Sequence, residues 1–298
     1  MSLFDKLVSE ALLNQKDLVS RKIVVEKELL HHDILREMGS FGLLNELTFI
    51  GGTCLRTCYG SNRLSEDLDF SGGKEFKREI LDGFGAILSE HLHNKYELQI
   101  EVSEPNKESG NVDTWKIRVV TQPLSKDIPA QKIHIDICAV PSYDRKPMIL
   151  QNHYGVDMGT SSLILQAESR EEIFADKLVA FSLRPNRLKN RDLWDIVWLK
   201  QQGVTLPIKL IPEKIHDHGR GIGEFSELMN ERSRLIVEDP SLRDSFIYEM
   251  KRFLPPKIVK DTVENKDFWI YLSDLIRDEC SFINRFLNGE SEKIDFKM

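Results

Sequence analysis

Cysteine is scarce in this sequence, and its four cysteines are not spaced as metal ligands. They lie at Cys54, Cys58, Cys138 and Cys280, without a C-x-x-C pair. A secreted disulfide scaffold and a zinc site both need denser and more regularly spaced cysteines. We therefore expect reduced thiols, with Cys54 and Cys58 buried in the core.

Long hydrophobic runs are also absent. The longest uninterrupted apolar stretch covers the five residues from Phe268 to Leu272, whereas a membrane-spanning helix needs about 20. The first ten residues already contain Asp5 and Glu10, and they lack the apolar core of a secretory signal. These absences predict a cytoplasmic protein without a membrane partner.

Basic residues do not outnumber acidic ones. The 298 residues include 41 Lys and Arg against 48 Asp and Glu, which gives a formal net charge of −7. This balance argues against a protein that coats nucleic acid, although it leaves room for a local basic groove. With 41% hydrophobic residues, the chain can bury a core and is neither collagen-like nor disordered in bulk.

The order of the predicted elements indicates two lobes. Segments with the alternating pattern of strands occur at 96–102, 114–121 and 132–140. From about Ser162 onward the pattern is helical nearly to the end. Strands first and helices after predict an α+β lobe followed by a helical lobe. We place the first lobe at residues 1–160, including an N-terminal helical segment at 1–40, and the helical lobe at 161–298.

One further helix is predicted ahead of the three strands. Phe76 to Leu92 has apolar residues at helical spacing. These residues are Phe76, Ile80, Phe84, Ile87 and Leu88. The spacing predicts a single helix that packs on this apolar stripe.

The most informative stretch is a strand, a double-glycine turn and a helix. Leu47 to Ile50 is β-prone, Gly51 and Gly52 allow a sharp turn, and Thr53 to Tyr59 has helical character. The first N–H groups of such a helix and its positive dipole end favour an anion. The turn therefore predicts a phosphate site.

An acidic strand follows the turn. Asp67 and Asp69 face the same side, about 6.5 to 7 Å apart along the strand, while Leu68 and Phe70 pack behind them. Two converging carboxylates suit a pair of Mg²⁺ ions roughly 3.5 to 4 Å apart that hold the phosphates of a nucleotide. Asp136, within the isoleucine-rich segment I-H-I-D-I-C, is the candidate third carboxylate. A charge in such a strand needs a partner, which is either a metal or a structural group.

These residues resemble a known family. G-G-T followed by D-x-D on the next strand resembles the motif of the polymerase-β-like nucleotidyltransferase superfamily. The surrounding sequence resembles its AbiEii/AbiGii branch of MenT-like toxins. The matching segments are Gly51–Leu55, Arg63–Phe70, Ala175–Leu178 and Arg191–Asp195. In motif order the resemblance runs from about Val25 to Gln202. It implies a nucleotidyltransferase-type mixed sheet with flanking helices in a bi-lobed enzyme.

The resemblance also implies roles for individual residues. The implied nucleotide-binding residues are Gly51, Gly52, Thr53, Arg63, Ser65 and Lys177. The implied catalytic residues are Asp67, Asp69, Asp136, Lys177 and Asp192, of which the first three would hold two Mg²⁺ ions. Two assignments stay open. Asp195 competes with Asp192 for the last acidic motif, and Arg63 either reaches a phosphate or pairs with Glu66.

The residues around Lys177 agree with a phosphate role. Ser169 to Glu172 forms a capping box that starts a helix, and Lys177 emerges from that helix beside an apolar stripe. Four cations follow without an acid among them, at Arg184, Arg187, Lys189 and Arg191. This run is either a grip for nucleic-acid phosphates or a solvated loop.

The resulting hypothesis is a Mg²⁺-dependent nucleotidyltransferase. A substrate hydroxyl would attack the α-phosphorus of an NTP in line, a reaction that depends on positioning and charge neutralisation. The resemblance implies an RNA acceptor, in particular the 3′ end of tRNA, and a toxin opposed by a separately encoded antitoxin. The alternatives are a small-molecule or protein hydroxyl as acceptor, and a non-catalytic nucleotide-binding toxin or regulator.

Overall fold

The computed structural model describes residues 2–105, 111–121, 130–185 and 188–290. The chain divides into two compact units, of which the first contains residues 1–169 with the short segment 253–256 and the second contains the rest. This returning segment is tied into the first unit, because the N–H of the buried Leu64 donates to the Phe253 carbonyl at 2.8 Å. The boundary predicted between residues 160 and 161 stays a prediction.

The described part of the first unit contains a group of helices. They are α1 (Leu3–Asn14), α2 (Lys22–Ser40), α3 (Leu43–Glu46), α4 (Gly51–Tyr59) and α5 (Phe84–Tyr96), with 3₁₀ turns at Lys16–Arg21 and Arg78–Leu81. Helix α2 lies deep in this unit, with Leu30, Ile34 and Met38 fully buried. Cys54 and Cys58 on α4 are buried free thiols, as predicted.

The single helix predicted at 76–92 is wrong. Gly83, with φ of +81°, separates a 3₁₀ turn from α5. Ile80 and Ile87 are exposed, so only part of the predicted stripe is packed. The packed residues are instead four apart, at Phe84, Leu88, Leu92 and Tyr96. Gly83 has a left-handed backbone conformation that a continuous α-helix does not contain. The spacing of apolar residues does not reveal this break.

The sheet of the first unit is mixed, as expected for the α+β class. Its strands are β1 (Thr48–Ile50), β2 (Leu68–Ser71), β3 (Gln99–Ser103), β4 (Val112–Val120), β5 (Gln131–Cys138), β6 (Arg145–Ile149) and β7 (Ile164–Glu168). They are ordered β3-β4-β5-β2-β1-β7-β6. Strand β2 runs antiparallel to β1 and parallel to β5, which places the acidic strand in the middle of the sheet.

The sequence did not predict β6 and β7. The expectation that the chain is helical from Ser162 is wrong for Ile164–Glu168, because β7 pairs in parallel with β1. Strand β6 lies at the sheet edge and includes Pro147, a residue that such an edge tolerates. Both strands belong to the first unit.

Strand β5 has one packed face and one open face. Ile133, Ile135 and Ile137 are almost fully buried, in keeping with α2 lying against β5 and α5 against β3. The alternating residues on the other face, including His134 and Asp136, are partly accessible. The polar residues of β5 therefore share an accessible surface of the sheet.

The described part of the second unit is helical. Its helices are α6 (Arg170–Leu183), α7 (Asn190–Gln201), α8 (Ile211–Asp217), α9 (Ile222–Glu238), α10 (Pro240–Phe253), α11 (Pro256–Ile258) and α12 (Lys266–Leu287), with a 3₁₀ turn at Ile208–Leu210 and a π-helical turn at Val259–Val263. Helix α6 begins directly after Ser169, where the capping box predicts its start. Trp194 and Trp198 on α7 are buried. No described helix has the length and apolar character needed to cross a membrane.

Candidate active site

The three predicted metal ligands lie where β2 meets β5. Asp69 and Asp136 are partners in the parallel register, so their side chains leave neighbouring strands on one face, with the strands about 4.8 Å apart. Asp67 lies two residues earlier, and its Oδ1 accepts the backbone N–H of His134 at 3.0 Å. The structure thus places Asp69 beside Asp136 and puts Asp67 next to His134, which is two residues before Asp136 in the chain; a shared metal ion among the three carboxylates stays a prediction.

The chemistry of these three carboxylates fits Mg²⁺. Carboxylate oxygens are the hard ligands that Mg²⁺ prefers, and Mg²⁺ keeps part of its water shell, which accessible side chains permit. Asp67 is 29% exposed at its side chain, while Asp69 and Asp136 are intermediate in exposure. The hydroxyl of Thr114, on β4, donates to Oδ1 of Asp136 at 2.6 Å and fixes the orientation of that carboxylate.

Gly51 lets the backbone pass close to Asp69. It follows Ile50, which is the register partner of Asp69, and it has φ of +75°. A Cβ atom at this position would lie 3.0 Å from Oδ2 of Asp69. Gly51 and Gly52 are the first residues of α4, so the N-terminal end of a helix, which favours anions, begins next to the carboxylates.

Thr53 and Ser65 connect the glycine turn to the acidic segment. Both residues are buried, and their hydroxyls share a hydrogen bond. The Thr53 hydroxyl also donates to the backbone carbonyl of Asp67. These bonds hold the start of α4 against Asp67. Contact of either hydroxyl with a triphosphate stays a prediction.

Arg63 is deeply placed in the same loop. The residue is 3% exposed. Its guanidinium donates a hydrogen bond to the Leu64 carbonyl at 3.0 Å. Glu66, its alternative partner in the sequence hypothesis, lies 2.9 Å from the Lys27 ammonium. The observed contacts of Arg63 shape the loop before the acidic strand, and its role at a phosphate stays a prediction.

Glu28 on α2 anchors this loop and was not identified from the sequence. Its carboxylate accepts the Ser65 N–H at 2.7 Å and the Arg56 Nε–H at 3.2 Å, and it accepts the hydroxyl of Tyr154. Burial alone would raise the pKa of Glu28, but Arg56, Tyr154 and Ser65 together lower it. The one available signal was an acid on a helix whose neighbours, such as Leu29, are apolar.

The other predicted residues lie in the second unit, around Lys177. Its ammonium is 2.6 Å from Oδ1 of Asp192 and 3.0 Å from Oδ2 of Asp195. Arg184 lies 3.1 Å from the other Asp192 oxygen. Asp192 and Asp195, the two candidates for the last acidic motif, therefore both pair with Lys177. Burial would by itself raise the pKa of Asp192, but Lys177, Lys189 and Arg184 outweigh it and hold this pKa well below its usual range.

The cationic run after α6 is only partly described. Arg187 lies outside the described residues. Arg191 lies 3.3 Å from the Glu249 carboxylate, Arg184 contacts Asp192, and burial lowers the pKa of Lys189. The three described cations thus have defined surroundings in the second unit, and their role as an RNA grip stays a prediction.

Asp192→Asn is expected to destabilise the protein by about 3 to 5 kcal/mol at neutral pH, because it removes one partner of a buried ion pair. The folded-state pKa of Asp192 is lowered, so its stabilisation is complete above the unfolded-state pKa of about 3.9 and is lost as the pH falls below that value. Urea unfolding over a series of pH values should show that the variant loses less stability on acidification than the parent.

Asp244→Asn provides the matched control for this prediction. It makes the same chemical change at an exposed position of α10 and is expected to shift stability by no more than about 0.5 kcal/mol. Equal unfolding free energies for the Asp192 and Asp244 variants would contradict the structural role of the Lys177 cluster.

Comparisons with known proteins identify the family of the chain. The family model for the nucleotidyl transferase AbiEii toxin of type IV toxin–antitoxin systems matches residues 33–272. MenT4, a nucleotidyltransferase toxin from Mycobacterium tuberculosis H37Rv, has a similar solved structure with a TM-score of 0.58 and 15% identity, covering 97% of this chain and 95% of MenT4. The structure of JHP933 from Helicobacter pylori gives a TM-score of 0.47 at 19% identity, covering 90% and 98%. No curated protein matches the sequence. Because the family model covers most of the chain, the protein belongs to the AbiEii nucleotidyltransferase toxins of type IV toxin–antitoxin systems.

Proposed function

We propose that this toxin transfers a nucleoside monophosphate from an NTP to a hydroxyl of an RNA acceptor, the 3′ end of tRNA, in a Mg²⁺-dependent reaction that releases pyrophosphate. The observation that supports it best is the register of Asp69 with Asp136. With Asp67 two residues before Asp69, this register supports a cation site beside the glycine turn, where the phosphates of a nucleotide would bind.

Each part of the first-unit site has a proposed task. Asp67, Asp69 and Asp136 would hold two Mg²⁺ ions, which when bound supply positive charge to the phosphates and make the acceptor hydroxyl easier to deprotonate. Gly51 and Gly52 would orient the triphosphate through the backbone N–H groups at the start of α4. The groups then need only be held in place, since this transfer depends mainly on positioning and electrostatics.

Lys177 is proposed as a further phosphate-binding cation. Asp192 and Asp195 contact its ammonium and would fix the direction of the side chain. An ammonium is a compact charge suited to phosphate oxygens. We also propose, from the family membership, that the enzyme acts in the cytoplasm and is opposed by a separately encoded antitoxin.

Incubation of the purified protein with Mg²⁺, total tRNA and each α-labelled NTP in turn tests the proposal. We expect label in a tRNA-sized band with at least one NTP and none in the presence of EDTA. The same NTP labelled at its γ-phosphate should give no labelled RNA, because nucleotidyl transfer releases that label with pyrophosphate. Periodate-oxidised tRNA, which lacks the terminal ribose hydroxyls, should not accept label.

The contrary outcomes separate the alternative functions. Label that enters a small molecule or a protein, but no RNA, would replace the acceptor and keep the chemistry. Label in no product with any of the four NTPs, from a protein that still binds NTP, would favour a non-catalytic toxin.

A further inference from the structure

A block of basic side chains lies on the open face of the sheet next to the carboxylates. Lys116 and Arg118 project from β4, and Lys132 and His134 project from β5. Lys116 is the register partner of His134, and Arg118 is the partner of Lys132. We call these four residues the basic block. Both lysines and Arg118 are exposed.

The basic block is continuous with the candidate site. His134 lies two residues before Asp136 on β5, and Lys132 lies four before it, about 13 Å along the strand. Thr114, which hydrogen-bonds Asp136, lies two residues before Lys116 on β4. One open surface therefore runs from the carboxylates of the candidate site to the basic block.

The charge of the basic block is only partly neutralised within the chain. Like charges directly opposite each other on neighbouring strands are destabilising, yet Arg118 stands opposite Lys132. Glu101 on β3 pairs with Arg118 at 3.1 Å. Among residues 2–105, 111–121, 130–185 and 188–290, no acid forms an ion pair with Lys116 or Lys132. An anionic partner would relieve this repulsion.

The order of the strands decides which anion fits. The basic block is on β4 and β5. Asp136 is on β5, Asp69 is on the neighbouring β2, and Asp67 directly precedes β2. The glycine turn follows β1, which lies on the other side of β2. The carboxylates thus separate two phosphate-attracting surfaces. In-line transfer requires the attacking hydroxyl and the leaving pyrophosphate on opposite sides of the α-phosphorus. With the triphosphate at the glycine turn, the basic block lies on the acceptor side.

We propose that the basic block binds the phosphate backbone of the acceptor RNA and presents the RNA terminus to Asp67, Asp69 and Asp136. This inference rests on the proposed function, and it adds the surface that holds the RNA. Its extent, two pairs of side chains leading away from Asp136, suits consecutive phosphates of a polynucleotide. Such contacts carry no base information and make binding dependent on salt.

The test replaces both unpaired lysines, as Lys116→Gln/Lys132→Gln. Lys6→Gln/Lys146→Gln is the matched control, since it removes the same charge from an exposed helix position and from β6 of the same sheet. Fluorescence anisotropy with end-labelled tRNA, without NTP, gives Kd at several salt concentrations. We expect the Kd of the test variant to rise about 10-fold at low salt and the slope of log Kd against log salt to fall by about 1.5. Steady-state kinetics should place the loss on KM for RNA and not on KM for NTP.

Each other outcome overturns a defined part of the inference. If parent, test variant and control share one Kd and one salt slope, the basic block does not bind RNA, although the proposed function stands. A rise in KM for NTP alone would assign the basic block to the triphosphate. A parent that shows no salt-dependent RNA binding would overturn the RNA acceptor and the basic block together.

Discussion

Asp69→Asn is expected to lower the rate of nucleotide transfer by at least about 10³-fold, because it removes a negative charge at the centre of the proposed metal site. Asp69 is flanked by β1 and β5 and is the register partner of both Ile50 and Asp136. A neutral amide of almost the same shape preserves the packing of Leu68 and Phe70 behind it. The loss should therefore appear in activity and not in folding.

The measurement compares initial rates of label transfer to tRNA at saturating Mg²⁺, together with thermal unfolding and tRNA affinity. Asp82→Asn, at an exposed position of the first unit, is the control and should keep the parent rate. Retention of more than a tenth of the parent rate by the Asp69 variant would show that this carboxylate is not a metal ligand essential to the reaction.

Gly51→Ala is expected to lower the transfer rate by about 10-fold, since the neighbouring carboxylate must move by a few tenths of an ångström and a displacement of about 1 Å would cost about 100-fold. A Cβ at this position would lie 3.0 Å from Oδ2 of Asp69, tighter than most Cβ contacts, so the carboxylate or the turn must shift slightly. The φ of +75° adds backbone strain, at about 1 to 2 kcal/mol for an L-residue.

Gly73→Ala separates the two effects. Gly73 has φ of +72°, and a Cβ there would meet no atom within 4 Å. Both variants should therefore lose similar stability in urea unfolding, while only Gly51→Ala loses activity. Equal rates for the two variants would mean that the close approach of Gly51 to Asp69 has no role in positioning the carboxylate.

The sequence predicts which residues form the candidate site better than it predicts how they are arranged in space. The local order of glycine turn, helix and D-L-D-F predicts which side chains meet around β2, because turn chemistry and strand alternation act over a few residues. The partnership of Asp69 with Asp136 joins residues far apart in the chain, and periodicity contains no information about register between distant strands. The sequence indicated Asp136 as a third ligand only as a charge in an isoleucine-rich segment and through the family resemblance, and neither reveals which residue lies beside it.

The errors have similar physical causes. Gly83 interrupts a helix that the spacing of Ile80 and Ile87 continues. Strand β7 is five residues long and is set by its pairing with β1, which local propensity does not reveal. Glu28 and His134 were missed because their contacts with Ser65 and Asp67 exist only after α2 and β5 have packed.

The segment Phe253–Pro256 limits how the gene of this enzyme can be divided into parts that each encode one unit. The first unit is discontinuous in sequence, because the chain returns to it after residue 252. The Leu64 N–H, which donates to the Phe253 carbonyl, lies just ahead of the acidic strand. Loss of that acceptor would destabilise the fold by about 1 to 3 kcal/mol, because the buried donor would have no partner. A gene fragment that stopped after Ser169 would keep every carboxylate of the proposed metal site and lose the backbone group that supports their loop. The first unit is therefore not encoded by one continuous stretch, and recombination that preserves it must carry both stretches of the gene.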